Sequence, residues 1–454
     1  MTVAEATQAA PAKGRWITEW RPDDPGFWAS TGSRIARRNL AYSIFAEHLG
    51  FTVWTVWSIV AVKLGAYRFS TDQLFWLVSL PNLVGSTLRL PYTFAPARFG
   101  GRNWTVFSAL ALLVPAVLLA VAVSDPGTPY WAFLLIAATA GLGGGNFASS
   151  MANITYFYPE KRQGWALGLN AAGGNIGVSS VQLVMPLVIT GFGLAAAGLF
   201  WVPFILAAAA CAFFGMDNLA SARADVRAQL RVGGRAQTWI MSLLYIGTFG
   251  SFIGYTTAFP LLIKSQFPEH TASVTWAFLG ALLGSLIRPL GGRLSDRLGG
   301  ARVTLVNFAL MAGAVGMVAA GVAAHSFALF FTAYLVLVML TGVGNGSTYR
   351  MIPAIFTAKA VAGVPAGDTG AYAAAAAAGR RDSAAAIGII SAVGAFGGFF
   401  INRGFGTSIA ATGGAGAALV AFAGFYAICG AVTWFCYLRT MGSRLAPSLA
   451  AARI

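Results

Sequence analysis

An all-α integral membrane protein, with twelve transmembrane helices in two pseudo-symmetric six-helix halves, is the fold this sequence predicts. Three observations predict it. Long apolar runs recur from Leu40 to Leu438, basic residues alternate between two sides, and one glycine–arginine pattern occurs twice. Of the 454 residues, 57% are hydrophobic and only 10% are charged, with a mean hydropathy of +0.69. A soluble domain carries roughly 25% charged residues. The 55 glycines suit a membrane bundle, because small residues let helices approach closely.

The spans come first. A helix rising ~1.5 Å per residue needs about 20 residues to cross a ~30 Å apolar core. Twelve segments meet that length: 40–63, 73–96, 104–123, 129–157, 165–190, 195–215, 237–263, 272–294, 303–323, 327–356, 384–402 and 415–438. They divide the chain into an N-terminal segment (1–39), a first bundle (40–215), a basic linker (216–236), a second bundle (237–438) and a tail (439–454). The polar first 39 residues lack the pattern of a cleavable leader, so the first span is expected to direct insertion.

Charge gives the orientation. With the spans placed, 23 of the 30 Lys and Arg residues fall on one side and 4 on the other, the latter being Lys63, Arg68, Lys264 and Arg403. Basic loops stay in the cytoplasm, so both termini are expected there, in a bacterial inner membrane. The same rule explains the +16 net charge without nucleic acid. The cysteines Cys211, Cys429 and Cys436 lie in apolar runs and suggest neither disulfide nor metal. No metal-ligand cluster or nucleophile–base pair appears, so an enzyme, a cofactor and a metal are not expected.

The repeat relates the two halves. Gly85, Ser86 and Arg89 match Gly284, Ser285 and Arg288, while Arg98, Gly100, Gly101 and Thr105 match Arg297, Gly299, Gly300 and Thr304, at one offset of 199. A further echo pairs ALGLNAAGGNIG (Ala166 to Gly177) with AIGIISAVGAFG (Ala386 to Gly397). Both copies keep chain direction and sidedness, giving a parallel repeat. That is the major facilitator architecture, with its substrate site near the midplane between the halves. The segment 357–383, rich in Ala and Gly, is expected to be a flexible connection or a marginal surface helix.

Arg89, Arg288 and Arg350 fall within predicted spans. An arginine at a helix centre costs about 2.5–3.5 kcal/mol on insertion scales. Arg89 lies seven residues before Pro96, so snorkelling to the interface competes with a functional role. Recurrence at the equivalent place in both halves favours function. Two guanidiniums facing each other offer planar donor forks to a small planar oxyanion. Glu47 is the one acidic residue inside a predicted span, beside His48. Either it pairs structurally with an arginine, or it carries protons, since burial and a nearby arginine bias a carboxyl group in opposite senses. Arg350 is the candidate partner. His48 points about 100° away from Glu47 on a helix and reads equally as a packed histidine. Asn146, Asn170 and Asn175 should face protein or cavity rather than lipid. Phe147, Tyr245, Phe249 and Tyr349 read either as core or as walls around an anion. GLGGGN (Gly141 to Asn146) and NAAGGNIG (Asn170 to Gly177) lack the ending of a phosphate loop and read as close packing that also permits rocking.

Together, WRPDDPGFW (Trp20 to Trp28), GNFASSMANITYFYP (Gly145 to Pro159), ALGLNAAGGNIGVS (Ala166 to Ser179), SLLYIGTFGSFIGY (Ser242 to Tyr255), SDRLGGARVTLVNF (Ser295 to Phe308) and the glycine-rich segment from Ala386 to Phe399 resemble the NarK-type nitrate/nitrite porters of the major facilitator superfamily. The resemblance covers nearly the whole chain. It implies nitrate held between Arg89 and Arg288, an aromatic sandwich at Phe147 and Tyr349, and further contacts at Asn175, Tyr245 and Phe249. It also implies gating glycines at Gly168, Gly173, Gly174, Gly177, Gly388, Gly394 and Gly397. Glu47, His48 and Arg350 depart from the nitrate/nitrite exchange branch and look more like the branch that moves nitrate with protons. The expectation is therefore a monomeric transporter of nitrate, and also nitrite, by proton symport, with nitrate/nitrite antiport as the alternative. A non-transporting anion sensor is the rival from another class.

Overall fold

The structure, a computed structural model, describes residues 15–222, 231–365, 367–439, 449 and 454. Parts of the expected N-terminal segment, linker and tail lie outside the described residues, including Lys13, Arg223, Arg227, Arg444 and Arg453. Among the described residues, twelve long helices follow in order. They are α1 (Pro25–Tyr67), α2 (Thr71–Phe99), α3 (Gly101–Ser124), α4 (Tyr130–Phe157), α5 (Glu160–Phe192) and α6 (Ala196–Gly215), then α7 (Ala236–Gln266), α8 (Phe278–Leu298), α9 (Gly300–Ala323), α10 (Phe327–Val361), α11 (Thr369–Thr412) and α12 (Gly416–Leu438).

Ten of these are long and apolar enough to cross a membrane on their own. The two that are not, α2 and α8, carry Arg89 and Arg288. In α2 the deficit comes from Arg89, Asn82 and three prolines at 81, 91 and 96. The helix that precedes α8, Pro268–Trp276, passes together with it across a 41° bend.

The repeat has a backbone signature. Gly100 and Gly299 close α2 and α8 with the same left-handed conformation, φ +89° in each and ψ 139° and 129°. A side chain there would be strained, so glycine is required at both copies of the turn. The next helix then starts at once, at Gly101 and at Gly300.

Two expectations change. The segment 357–383 is not a separate connection. α10 runs on to Val361, and α11 begins at Thr369, where the Asp368 carboxylate accepts from the Ala371 amide at 2.8 Å. Alanine is the strongest helix former, so the alanine run simply extends α11. The helix start is also earlier than expected: α1 begins at Pro25, and Asp24 caps it by accepting from the amides of Gly26 and Phe27. A short parallel pair, β1 (Trp16–Ile17) and β2 (Asn218–Leu219), ties the N-terminal segment to the linker. Buried Asp217 draws in Arg15, Arg38 at 2.6 Å and Asn39 at 3.0 Å beside it.

The halves meet along α1 with α7, α2 with α11, and α5 with α8. On the side away from the basic loops, Asp72 of α2 pairs with Arg403 of α11 at 2.8 Å, and Trp76 lies 4.1 Å below the Arg403 guanidinium. Lys264 of α7 donates to the Val62 carbonyl of α1 at 2.6 Å, and Gln182 of α5 to the Thr256 carbonyl of α7 at 2.7 Å. On the basic side, Arg380 bridges to Glu160 at 2.9 Å between exposed side chains.

Candidate functional site

Arg89 sits on α2 with 0% of its surface exposed, so it does not snorkel. Its Nε donates to the Gly144 carbonyl of α4 at 3.2 Å, and its Nη1 to the Ser391 carbonyl of α11 at 3.2 Å. Nη2 is buried and unpaired. Arg288 on α8 is half-buried, with Nη1 buried and unpaired. The two guanidiniums lie within electrostatic range of each other.

Aromatic rings connect them. The Arg89 guanidinium lies 4.5 Å from the Phe147 ring, 4.9 Å from Phe249 and 5.4 Å from Trp54. Phe147 stacks on Phe249 at 6.0 Å, Phe249 on Tyr245 at 5.3 Å, and Tyr245 meets Tyr349 at 6.4 Å. Tyr349 in turn lies 5.7 Å from the Arg288 guanidinium. Helices α4, α7 and α10 thus supply a continuous row of four rings from one arginine to the other. The negative faces of such rings favour cations, which eases the cost of burying two of them. The Tyr349 hydroxyl is buried without a partner, as are Oδ1 of Asn175 and both amide atoms of Asn146, while the Tyr245 hydroxyl faces Arg288. The donors among the unpaired groups, Arg89 Nη2, Arg288 Nη1, the Tyr349 hydroxyl and Asn146 Nδ2, cost about 1–3 kcal/mol each when unmet and favour an acceptor-rich ligand, while the two asparagine oxygens accept.

The serines beside the arginines do not enter the site. Ser86 and Ser285 each donate to their own helix, to Asn82 and Ala281 carbonyls at 2.7 Å. Trp54 was not singled out in the sequence, and Gly144 and Ser391 stood there only within glycine-rich stretches, not as partners of an arginine. Trp54 is held by its indole donating to the Pro81 carbonyl at 2.8 Å.

Glu47 is buried and accepts from Asn170 Nδ2 at 2.6 Å, with its Oε1 unpaired. Asn170 also reaches Ser150 Oγ at 2.6 Å, and Ser150 meets Ser43 at 2.8 Å. Glu47 lies within electrostatic range of both Arg89 and Arg288. The Glu47–Arg350 pair is not formed. Arg350 is an exposed residue at the basic end of α10, and its Nε donates to Asp296 of α8 at 2.5 Å. The physical reason is reach: α10 continues to Val361, and Arg350 faces the adjacent α8 end rather than α1. His48 Nδ1 lies 3.1 Å from the Gly173 carbonyl, which fits the packed histidine.

The expected glycines separate into groups. Gly173, Gly174 and Gly177 press on Ile44, Glu47 and the His48 carbonyl of α1, while Gly394 and Gly397 press on Tyr245 and Gly250 of α7. The two glycine-rich helices therefore pack on the equivalent helix in each half. Gly168 is different: a side chain there would meet nothing within 4 Å. Gly388 is half-buried and accepts from Ser391 at 3.1 Å.

Comparison with known proteins fits this arrangement. Residues 40–380 match the family model described as Major Facilitator Superfamily. The chain belongs to that superfamily. Among relatives of this major facilitator protein, "Nitrate/nitrite transporter NarU" of Salmonella typhimurium strain LT2 is 44% identical over 93% of this chain and 96% of its own length. "Nitrate/nitrite transporter NarU" of Escherichia coli strain K12 is 42% identical over the same shares. "Probable nitrate/nitrite antiporter NarK2" of Thermus thermophilus is 38% identical over 94% and 98%. Each of these three is named as a transporter. Among solved structures, the D-xylose-proton symporter superposes with a TM-score of 0.62 at 14% identity, over 92% of this chain and 98% of that one. An inward-facing, unoccupied bacterial homolog to the human lysosomal transporter Spinster gives 0.62 at 16%, over 88% and 96%. Those likenesses concern the major facilitator fold alone.

Proposed function

We propose that this major facilitator protein carries nitrate, and also nitrite, across the bacterial inner membrane by alternating access. The row of four rings joining Arg89 to Arg288, contributed by both halves, is the observation that carries the reading. A flat oxyanion fits between planar donor forks and aromatic faces, and it neutralises two like charges at once. The names of the relatives support the substrate.

In the proposed cycle, the halves (40–215 and 237–438) rock about the site, with 1–39, the linker 216–236 and the tail 439–454 in the cytoplasm. Lys and Arg asymmetry supports that orientation. The polar ties on the side away from the basic loops then hold the periplasmic side shut, which corresponds to a state facing inward. Nitrate bridges the arginines, and only its differential affinity for the two states can drive the exchange between them. Asn175, Phe147, Tyr245, Phe249 and Tyr349 line the path as binding groups, and the α5 and α11 glycines let the halves slide.

Proton symport through Glu47 is the favoured coupling, supported by a buried carboxylate with one free oxygen in electrostatic range of both arginines. Nitrate/nitrite antiport is the second reading, supported by the printed name of the Thermus relative. Proteoliposomes in which the pH gradient and internal nitrite are varied independently separate the two. Gradient-driven uptake that Glu47→Gln abolishes supports symport; uptake that needs internal nitrite and ignores the gradient supports antiport. An anion sensor would bind nitrate without counterflow of label. The protein is expected to work as a monomer.

A further inference from the structure

The WRPDDPGFW stretch takes no part in the transport site, yet it builds a second one. Trp20 packs edge-on against Phe27 and Phe157 at 5.3 and 5.4 Å. Asp23 accepts from the Glu160 amide at the start of α5, at 3.1 Å. Asp24 caps α1. These bonds wedge the start of α1 against the turn between α4 and α5 and fix Trp28 there. Between them lies a cavity of about 410 Å³, lined by Trp28, Arg37, Tyr158, Arg162 and Trp165.

Three features of this cavity point to an anion. Among the described residues neither Arg37 nor Arg162 has a carboxylate within ion-pair distance, whereas the neighbouring Arg38 is paired with Asp217. The Trp28 indole N–H and the Tyr158 hydroxyl are both buried and unpaired. Burial pushes the Tyr158 hydroxyl above its ordinary range, with Arg37 and Arg162 acting against that, so it stays protonated and able to donate. The Arg162 guanidinium lies over the Trp28 ring at 5.8 Å, and Trp28 and Tyr158 are 5.5 Å apart. The corresponding cavity at the foot of α7 differs. There Arg235 is already neutralised by Asp382 at 2.6 Å, and the volume is about 150 Å³.

An apolar strip leads away from the cavity. Trp165 is 62% exposed, and Leu169, one turn along α5 on the same face, is 44% exposed. Tryptophan and tyrosine collect at the level of lipid headgroups, and basic pockets beside them hold acidic headgroups. On the orientation proposed above, the cavity meets the cytoplasmic leaflet. We propose that it holds the phosphate of one acidic phospholipid, with an acyl chain lying along Trp165 and Leu169.

The test uses full-length protein stripped of lipid in detergent and titrated with phosphatidylglycerol, with bound lipid counted by native mass spectrometry. Wild type should retain one tightly held phosphatidylglycerol. Arg37→Gln with Arg162→Gln should lower its occupancy at least tenfold, and Trp28→Phe, which keeps an aromatic ring but removes the indole N–H, several-fold. Arg34→Gln, an exposed arginine outside the cavity, should leave it unchanged. Trp28→Phe decides the matter if the double variant fails to fold. Equal retention by the cavity variants and Arg34→Gln overturns the proposal. So does inorganic phosphate binding as tightly without lipid, which would assign the cavity to a soluble anion. The result stands apart from the nitrate reading, because it is scored by lipid bound and not by transport.

Discussion

Arg89 of α2 donates from Nη1 to the Ser391 carbonyl of α11, a bond of 3.2 Å between the two halves. The arginine proposed to bind substrate is therefore also a contact between the halves. A lysine has one ammonium and cannot reach Gly144 and Ser391 while leaving a nitrogen free. Hydrogen bonds to a charged group contribute about 1.5–3 kcal/mol each, and 1.4 kcal/mol is tenfold. Arg89→Lys is thus expected to cut nitrate counterflow by more than about tenfold and, because the bonds to Gly144 and Ser391 are internal, to lower the melting temperature as well. Wild-type counterflow in Arg89→Lys proteoliposomes would remove the arginine from the site.

The packing glycines make a graded prediction. A methyl group at Gly174 would press on Glu47 Oε1, and one at Gly394 on the Tyr245 ring. Overpacking of a tight contact costs about 1–3 kcal/mol. Gly174→Ala and Gly394→Ala should lower both melting temperature and counterflow. Gly168→Ala, in open space, should do neither. A Gly168→Ala variant as impaired as the other two would mean that helix bending at these glycines, rather than close contact, is what matters.

These glycines show what was legible in the sequence. The 199-residue offset showed that Gly100 and Gly299 are equivalent positions of a repeat; that both close a helix at φ +89° is a finding of the structure. Hydropathy found the spans, although α2 and α8 fall short on their own because Arg89 and Arg288 lower their hydropathy. What could not be read was side-chain direction across helices. Arg350 looked like a partner for Glu47, since both are isolated charges at similar depth. Depth along the chain says nothing about which neighbouring helix a side chain meets, and Asp296 on α8 lay just beyond the predicted span. Backbone acceptors such as Ser391 and Gly144 carry no residue-type signal at all.

The Asp72–Arg403 pair should act as a latch between the halves. It is partly shielded, its side chains being 32% and 16% exposed, and Trp76 covers the guanidinium. Asp72→Asn removes the charge attraction and keeps the shape. It should shift the population toward the state open on that side. In a background free of Cys211, Cys429 and Cys436, alkylation of Phe405→Cys, a position 1% exposed, is expected to speed up several-fold when Asp72→Asn is added. An unchanged rate would mean that the aromatic and backbone ties hold that side closed without the ion pair.

Glu47 and Arg350 should separate cleanly. The Arg350–Asp296 pair is largely exposed, at 59% and 51%, and such pairs contribute roughly 0–1 kcal/mol. Arg350→Gln is therefore expected to leave the melting temperature, the nitrate KM and the dependence on a pH gradient near wild type. Glu47→Gln keeps a group that can accept from Asn170 but cannot exchange a proton, so it should keep nitrate binding and lose the gradient dependence. Isothermal titration with nitrate, beside uptake at an imposed pH gradient, reads both quantities. If Arg350→Gln abolished the gradient response while Glu47→Gln retained it, the proton path would run along the α8–α10 surface instead of through the α1–α5 network.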